Sequence, residues 1–119
     1  MKLQELTTET FNKTIGKEYC LVEFGADWCA PCKKLHPILE KLSSKIKVFT
    51  VDIDAENELA SEFNIKSVPA MVLFNEGKPL LDENGSLEMN GKKIASKIGL
   101  VTESKLIDWI ESFSHHKIG

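Results

Sequence analysis

Two patterns of apolar residues alternate along the chain: short, nearly continuous runs, and longer stretches in which they recur every third or fourth position. Tyr19-Cys20-Leu21-Val22-Glu23-Phe24 is nearly continuous and predicts a central strand buried on both faces, with Glu23 as its exception. Ile46 to Ile53 predicts a second, β-branched strand, and Ala70-Met71-Val72-Leu73-Phe74 a third. Before the first of them, Phe11 and Ile15 share one face of a short helix that Thr7 or Thr8 caps and Gly16 stops. Leu35, Ile38, Leu39 and Leu42 recur at helical spacing from about Pro31 to Ser43-Ser44, with a kink expected at Pro37. Leu59, Ala60 and Phe63 mark a third helix started by Asp54-Ala55-Glu56-Asn57. A fourth, capped by Thr102, carries Leu106, Ile107, Trp109, Ile110 and Phe113.

The later part of the chain is dense in turn signals. Asn75-Glu76-Gly77-Lys78 reads as a turn, and Asn84-Gly85 and Asn90-Gly91 are both hairpin dipeptides, so residues 75 to 93 are expected to hold an extra ribbon. A last strand is expected near Lys93 to Ile98, and Ser114 to Gly119 as a frayed end. No repeat, linker or second domain is visible, so residues 1–119 are read as one domain.

Composition removes several classes of function. A hydrophobic fraction of 42% with 28% charged residues suits an ordinary globular core rather than disorder or a fibre. The net charge of −3, without a run of Lys and Arg, argues against nucleic acid as a partner. No apolar stretch has the length of a signal peptide or a membrane span, so a soluble, untargeted chain is expected. Three cysteines, Cys20, Cys29 and Cys32, cannot all pair internally, which favours a reducing compartment.

Cys29 and Cys32 are the chemical candidates. Cys29 follows a buried strand and opens a helix, where backbone N–H groups and the positive helix end favour the attacking thiolate. Two intervening residues place Cys32 within bonding reach, so Cys32 can resolve a mixed disulfide formed at Cys29. Ala30 and Pro31 between them add no positive charge, which leans towards a reductant. The same Cys-x-x-Cys is half a zinc site, but no second pair follows. Cys20 reads as core, and His115 and His116 as tail residues; His36, four residues after Cys32 on one helix, suggests a metal ligand or a base, but a surface or packing histidine is the commoner reading. The bland reading of Glu23 is a carboxylate paired with a neighbouring lysine.

The stretch Leu21 to Lys33, which contains Trp28-Cys29-Ala30-Pro31-Cys32, then Pro37, Val51-Asp52-Ile53-Asp54, Val68-Pro69 and Gly77, resembles the thioredoxin family in order and spacing. The likeness runs from Leu3 to Phe113 apart from residues 79 to 92. It implies an α/β thioredoxin fold, a central mixed β-sheet of four to five strands flanked by about four helices. It further implies that Cys29 attacks, that buried Cys32 resolves, and that Glu23 moves protons for Cys32. Trp28, Ala30, Pro31, Val68, a cis-Pro69 and Gly99 are implied as the substrate-binding surface. Glu23 replaces the usual aspartate, Ala30 a glycine, Gly25 a tryptophan, Thr50 a lysine and Ala70 a threonine.

The expected function is therefore a protein-disulfide reductase, a thiol-disulfide oxidoreductase cycling through Cys29 and Cys32. Its expected partners are disulfide-containing proteins and an NADPH-dependent thioredoxin reductase. No metal or organic cofactor is expected beyond the redox-active disulfide Cys29-Cys32, and the expected state is a cytoplasmic monomer. The alternatives are a partner-specific oxidant or reductant, a non-catalytic binding module on the same fold, and, more remotely, a structural zinc module.

Overall fold

The computed structural model describes residues 3–17 and 19–113. Its centre is a mixed sheet in the order β1 (Gln4–Glu5), β3 (Lys47–Asp52), β2 (Tyr19–Gly25) and β4 (Ala70–Asn75). The outer side of β4 is shared by two short strands, β5 (Lys78–Pro79) and β8 (Ser96–Ile98). β2 runs parallel to β3, with Val22 opposite Phe49, and antiparallel to β4, with Val22 opposite Val72. Flanked on both sides by strands, β2 is the buried element its apolar run predicts.

Strand periodicity sorts the core into two layers. Cys20, Val22 and Phe24 face the side of α1 (Thr8–Ile15) and α3 (Asn57–Glu62), where they meet Phe11, Ile15, Leu59, Phe63 and Phe74. Phe63 and Phe74 are T-shaped at 5.5 Å, one of several aromatic pairs, each worth about 1 kcal/mol beyond its buried area. Leu21 faces the opposite side, where α2 (Ala30–Leu42) and α4 (Glu103–Glu111) contribute Leu35, Leu39, Leu42, Leu106 and Ile110. Glu23 shares that face with Leu21, so alternation alone aims it at α2.

The helix starts follow the capping chemistry. The Thr7 hydroxyl accepts from the Thr10 N–H, and Thr10 returns the bond to the Thr7 N–H. Thr102 caps α4 in the simpler way. α2 continues through Pro37. The turn at Asp54 and Ala55 closes on the Asp52 carboxylate, so α3 starts later, at Asn57.

The region after β4 departs from the sequence reading in two places. At Leu73, β4 changes its outer neighbour: its N–H donates to Ala95 O (3.1 Å), while its carbonyl accepts from Leu80 N–H (2.9 Å). The chain then forms a separate ribbon, β6 (Leu87–Met89) against β7 (Lys92–Ile94), closed by Asn90 (φ 53) and Gly91 (φ 79). Those angles suit the two-residue hairpin turn that Asn-Gly favours. The other dipeptide, Asn84-Gly85, does not join two paired strands. Asn84 N–H bonds the Asp82 carboxylate (3.0 Å) and Gly85 N–H bonds Asp82 O (2.9 Å). Glycine is required there because a Cβ would collide with the Ile94 carbonyl. The single last strand expected from Lys93 to Ile98 is divided at Ala95 into β7 and β8. Ala95 N–H donates to Leu80 O (2.8 Å) and Ala95 O accepts from Leu73 N–H (3.1 Å), and these bonds join the ribbon to the main sheet. The predicted tail, Ser114 to Gly119 with His115 and His116, lies outside the described residues.

Candidate active site

Cys29 stands at the junction where β2 ends and α2 begins. Its N–H donates to Ala26 O (3.1 Å), closing the loop, and its carbonyl accepts from Lys33 N–H (3.2 Å) as the first helical bond of α2. Cys29 therefore occupies the N-cap, with its Sγ 3.2 Å from the Cys32 N–H that donates to it. A sulfur at a helix N-cap faces unpaired N–H groups, the local field that favours a thiolate. Cys32 lies one helical turn on, with a Cα separation of 5.3 Å, and the two are joined as a disulfide. Cys20, the third cysteine, is buried in β2.

Both sulfur-bearing residues are nearly enclosed, Cys29 at 4% and Cys32 at 2% exposure, whereas Trp28 beside them is 68% exposed. Its indole N–H donates to the Asp54 carboxylate (2.8 Å), so the exposed ring is held from the loop after β3. Ala30 and Pro31 are exposed on the first turn of α2. From the opposite side, the Val68 carbonyl approaches Cys29 Sγ to 3.7 Å, and the Val68-Pro69 bond is cis. Gly99 N–H donates to Pro69 O (2.8 Å). Gly99 has φ +96, and a Cβ there would meet nothing within 4 Å. Ile98 and Leu100 expose apolar surface on either side of it. The structure thus brings Trp28, Ala30, Pro31, Val68, Pro69 and Gly99 around one disulfide.

Glu23 lies behind the pair. It is 1% exposed, and its Oε1 is 3.3 Å from His36 Nε2. Its Oε2 has no hydrogen-bond partner among the described residues. A Cβ at Gly25 would collide with that oxygen and would lie 3.3 Å from Cys32 Sγ. Gly25 therefore leaves open the space on which the carboxylate and the resolving sulfur converge. Burial raises the Glu23 carboxyl from its ordinary 4.5 to about 7, with His36 acting in the opposite direction through its charge and hydrogen bond. The lysine partner of the bland reading is not what faces Glu23; the imidazole of His36 is.

Comparison with known proteins agrees with this arrangement. The Thioredoxin family model matches residues 2–99. Thioredoxin of Rickettsia bellii (strain RML369-C) is 36% identical over 113 residues, covering 90% of this chain and 94% of that protein. The chain belongs to the thioredoxin family. Thioredoxin of Buchnera aphidicola subsp. Schizaphis graminum is 34% identical over 116 residues, 92% of this chain and 94% of that one. Among solved structures, a single-site mutant of the thioredoxin from Halobacterium salinarum NRC-1 superposes with a TM-score of 0.71 at 30% identity, covering 95% of this chain and 91% of that one. As a thioredoxin-family protein with a bonded Cys-x-x-Cys pair, the chain is a thiol-disulfide oxidoreductase with protein-disulfide reductase activity. The thioredoxin fold is present, with its mixed sheet and, among the described residues, four helices.

Two side chains at this thioredoxin-family site are not singled out by the sequence. There His36 is weighed as a ligand or base and read as a surface or packing residue, and Asp54 reads as part of a helix start and of the Val51-Asp52-Ile53-Asp54 motif. Both act across the fold, His36 on a residue 13 positions away and Asp54 on one 26 away. His36 does carry a signal, since it lies one helical turn beyond Cys32 on the face that α2 turns to β2.

Proposed function

We propose that this thioredoxin-family protein is a general protein-disulfide reductase in which Cys29 attacks, Cys32 resolves and Glu23 serves as the base for Cys32. The observation that carries the reading is the asymmetry of the pair. Cys29 caps α2 beside exposed Trp28 and the Val68 carbonyl, whereas Cys32 faces inward to Glu23 and Gly25.

In the reduced protein the Cys29 thiolate attacks one sulfur of a substrate disulfide. The substrate S–S bond breaks, and the first substrate thiolate leaves and takes a proton from water. Cys32 then gives its thiol proton to the Glu23 carboxylate, and its sulfur attacks Cys29 Sγ. The bond between Cys29 and the substrate breaks, the second substrate thiolate leaves and is protonated, and the Cys29-Cys32 disulfide remains. Two electrons have passed to the substrate.

Trp28, Ala30, Pro31, the Val68 backbone, Pro69 and Gly99 form the docking surface for an extended segment of the substrate. The redox pair is the only prosthetic chemistry required, with no metal. Electrons return from an NADPH-dependent thioredoxin reductase, and the chain takes part in cellular electron transport as a cytoplasmic monomer built as one domain. Among the described residues no helix is long and apolar enough to cross a membrane.

Reduction of insulin, followed by turbidity in the presence of dithiothreitol, tests this reading. The wild type accelerates precipitation and Cys29→Ser does not. No acceleration by the wild type overturns it.

A further inference from the structure

Glu23, the base assigned to Cys32, is 1% exposed in the sheet behind the disulfide. A buried group that accepts a proton in every cycle must also release it. Among the described residues, the side chain bonded to Glu23 that also reaches water is His36, 3.3 Å from Oε1, with 47% of its own side chain exposed. The imidazole sits between two openings. A small cleft of about 50 Å³ reaches Glu23 and Gly25 and is bordered by His36, Glu5 and Thr50. A wider cleft of about 470 Å³ on the solvent side shares His36, Glu5 and Thr50 with it.

We infer that His36 is a positioning residue for the resolving step: it anchors one oxygen of Glu23, leaves the other facing Cys32, and carries the collected proton to the outer cleft. The inference rests on the reading of Cys29 and Cys32 as the redox pair with Glu23 as base. Geometry supplies its parts. Oε1 is engaged by His36, Oε2 is unpartnered, and the place where a side chain at Gly25 would stand lies against both Oε2 and Cys32 Sγ. Imidazole suits the task because it gains and loses protons near neutrality, and either ring nitrogen can face out while the other faces in.

The charged groups around Glu23 explain why His36 has this task to itself. Glu5 from β1, Asp27 from the β2–α2 loop and Asp52 from the end of β3 border the small cleft, and all three are acidic. On α2, Cys32 is the proton source, and Lys33 and Glu40 line only the wider outer cleft. His36 is thus the one basic side chain among the described residues bordering the small cleft.

The sign of the pH effect follows. His36 lowers the Glu23 carboxyl, so removing it raises that carboxyl further and leaves less carboxylate at any pH below its midpoint. His36→Ala should move the pH profile of insulin reduction to higher pH by about one unit, an order-of-magnitude loss on the acid side with rates converging in base. His36→Lys, which restores a cation at the same position but holds its proton near neutrality, should return the carboxyl titration towards the wild type without restoring the full rate. The infrared titration of the Glu23 carboxyl, identified by its absence in Glu23→Gln, should move up in His36→Ala with the activity profile. If both the profile and the carboxyl titration of His36→Ala overlay those of an active wild type, the inference is wrong and the redox reading stands. An inactive wild type would remove both.

Discussion

The two sulfurs of one disulfide sit in contrasting surroundings. Around Cys29 the neighbours are exposed or shaped for close approach: Trp28 held outward by Asp54, the Val68 carbonyl, and the open space over Gly99. Around Cys32 lie buried Glu23 and the space left by Gly25, with half-exposed His36 beyond. The outer side meets the partner and the inner side handles the proton. A defect on the inner side should slow every disulfide, whereas a defect on the outer side should matter only to substrates large enough to touch it.

Three experiments sharpen that division. The largest expected effect is on stability. A carboxyl raised in the folded state contributes stability that is full below its unfolded 4.5 and is lost as pH rises through its folded value of about 7. Glu23→Gln cannot ionise, so above that range the oxidised variant should be more stable than the wild type by on the order of 3 kcal/mol, an advantage that vanishes in acid. Urea unfolding of both proteins on either side of the window measures it.

The second effect is on rate. Loss of a positioned base costs on the order of a hundredfold, and Glu23→Gln should lose that much near neutral pH. The loss should be equal with insulin and with a small aromatic disulfide, measured in parallel. A loss confined to insulin would break the comparison.

The smallest effect belongs to the outer side. Gly99→Val should raise KM for insulin by about tenfold through blocked approach, while the small disulfide is reduced at close to the wild-type rate. Because Gly99 has φ +96, the same substitution should also cost about 1 kcal/mol of stability, read from urea unfolding.

Much of the outer side could also be read from the chain, though not the bond from Trp28 to Asp54. Trp28-Cys29-Ala30-Pro31-Cys32 announces itself because strand, cap and helix are local: the apolar run ends at Gly25 and helical spacing begins beyond Pro31. Thr7, Thr102 and Asn90-Gly91 were legible for the same reason, since caps and two-residue turns depend on a few neighbouring residues. The contact between Glu23 and His36 was not, because it needs β2 and α2 already packed and Gly25 already empty. Asn84-Gly85 carried a true glycine requirement with the wrong cause. What demands glycine there is the Ile94 carbonyl, brought up by the ribbon's return, and not a hairpin turn. The division of the last strand at Ala95 has a similar origin, in its backbone bonds to two different segments, Leu80 and Leu73.

The asymmetry between the two sulfurs is tested most directly by alkylating the fully reduced protein with iodoacetamide across a pH series and mapping the modified cysteine by mass. Cys29 should react at least about tenfold faster than Cys32 near neutral pH, because it alone combines a helix N-cap with access from the partner side. Equal rates at the two positions, or faster modification of Cys32, would contradict the account.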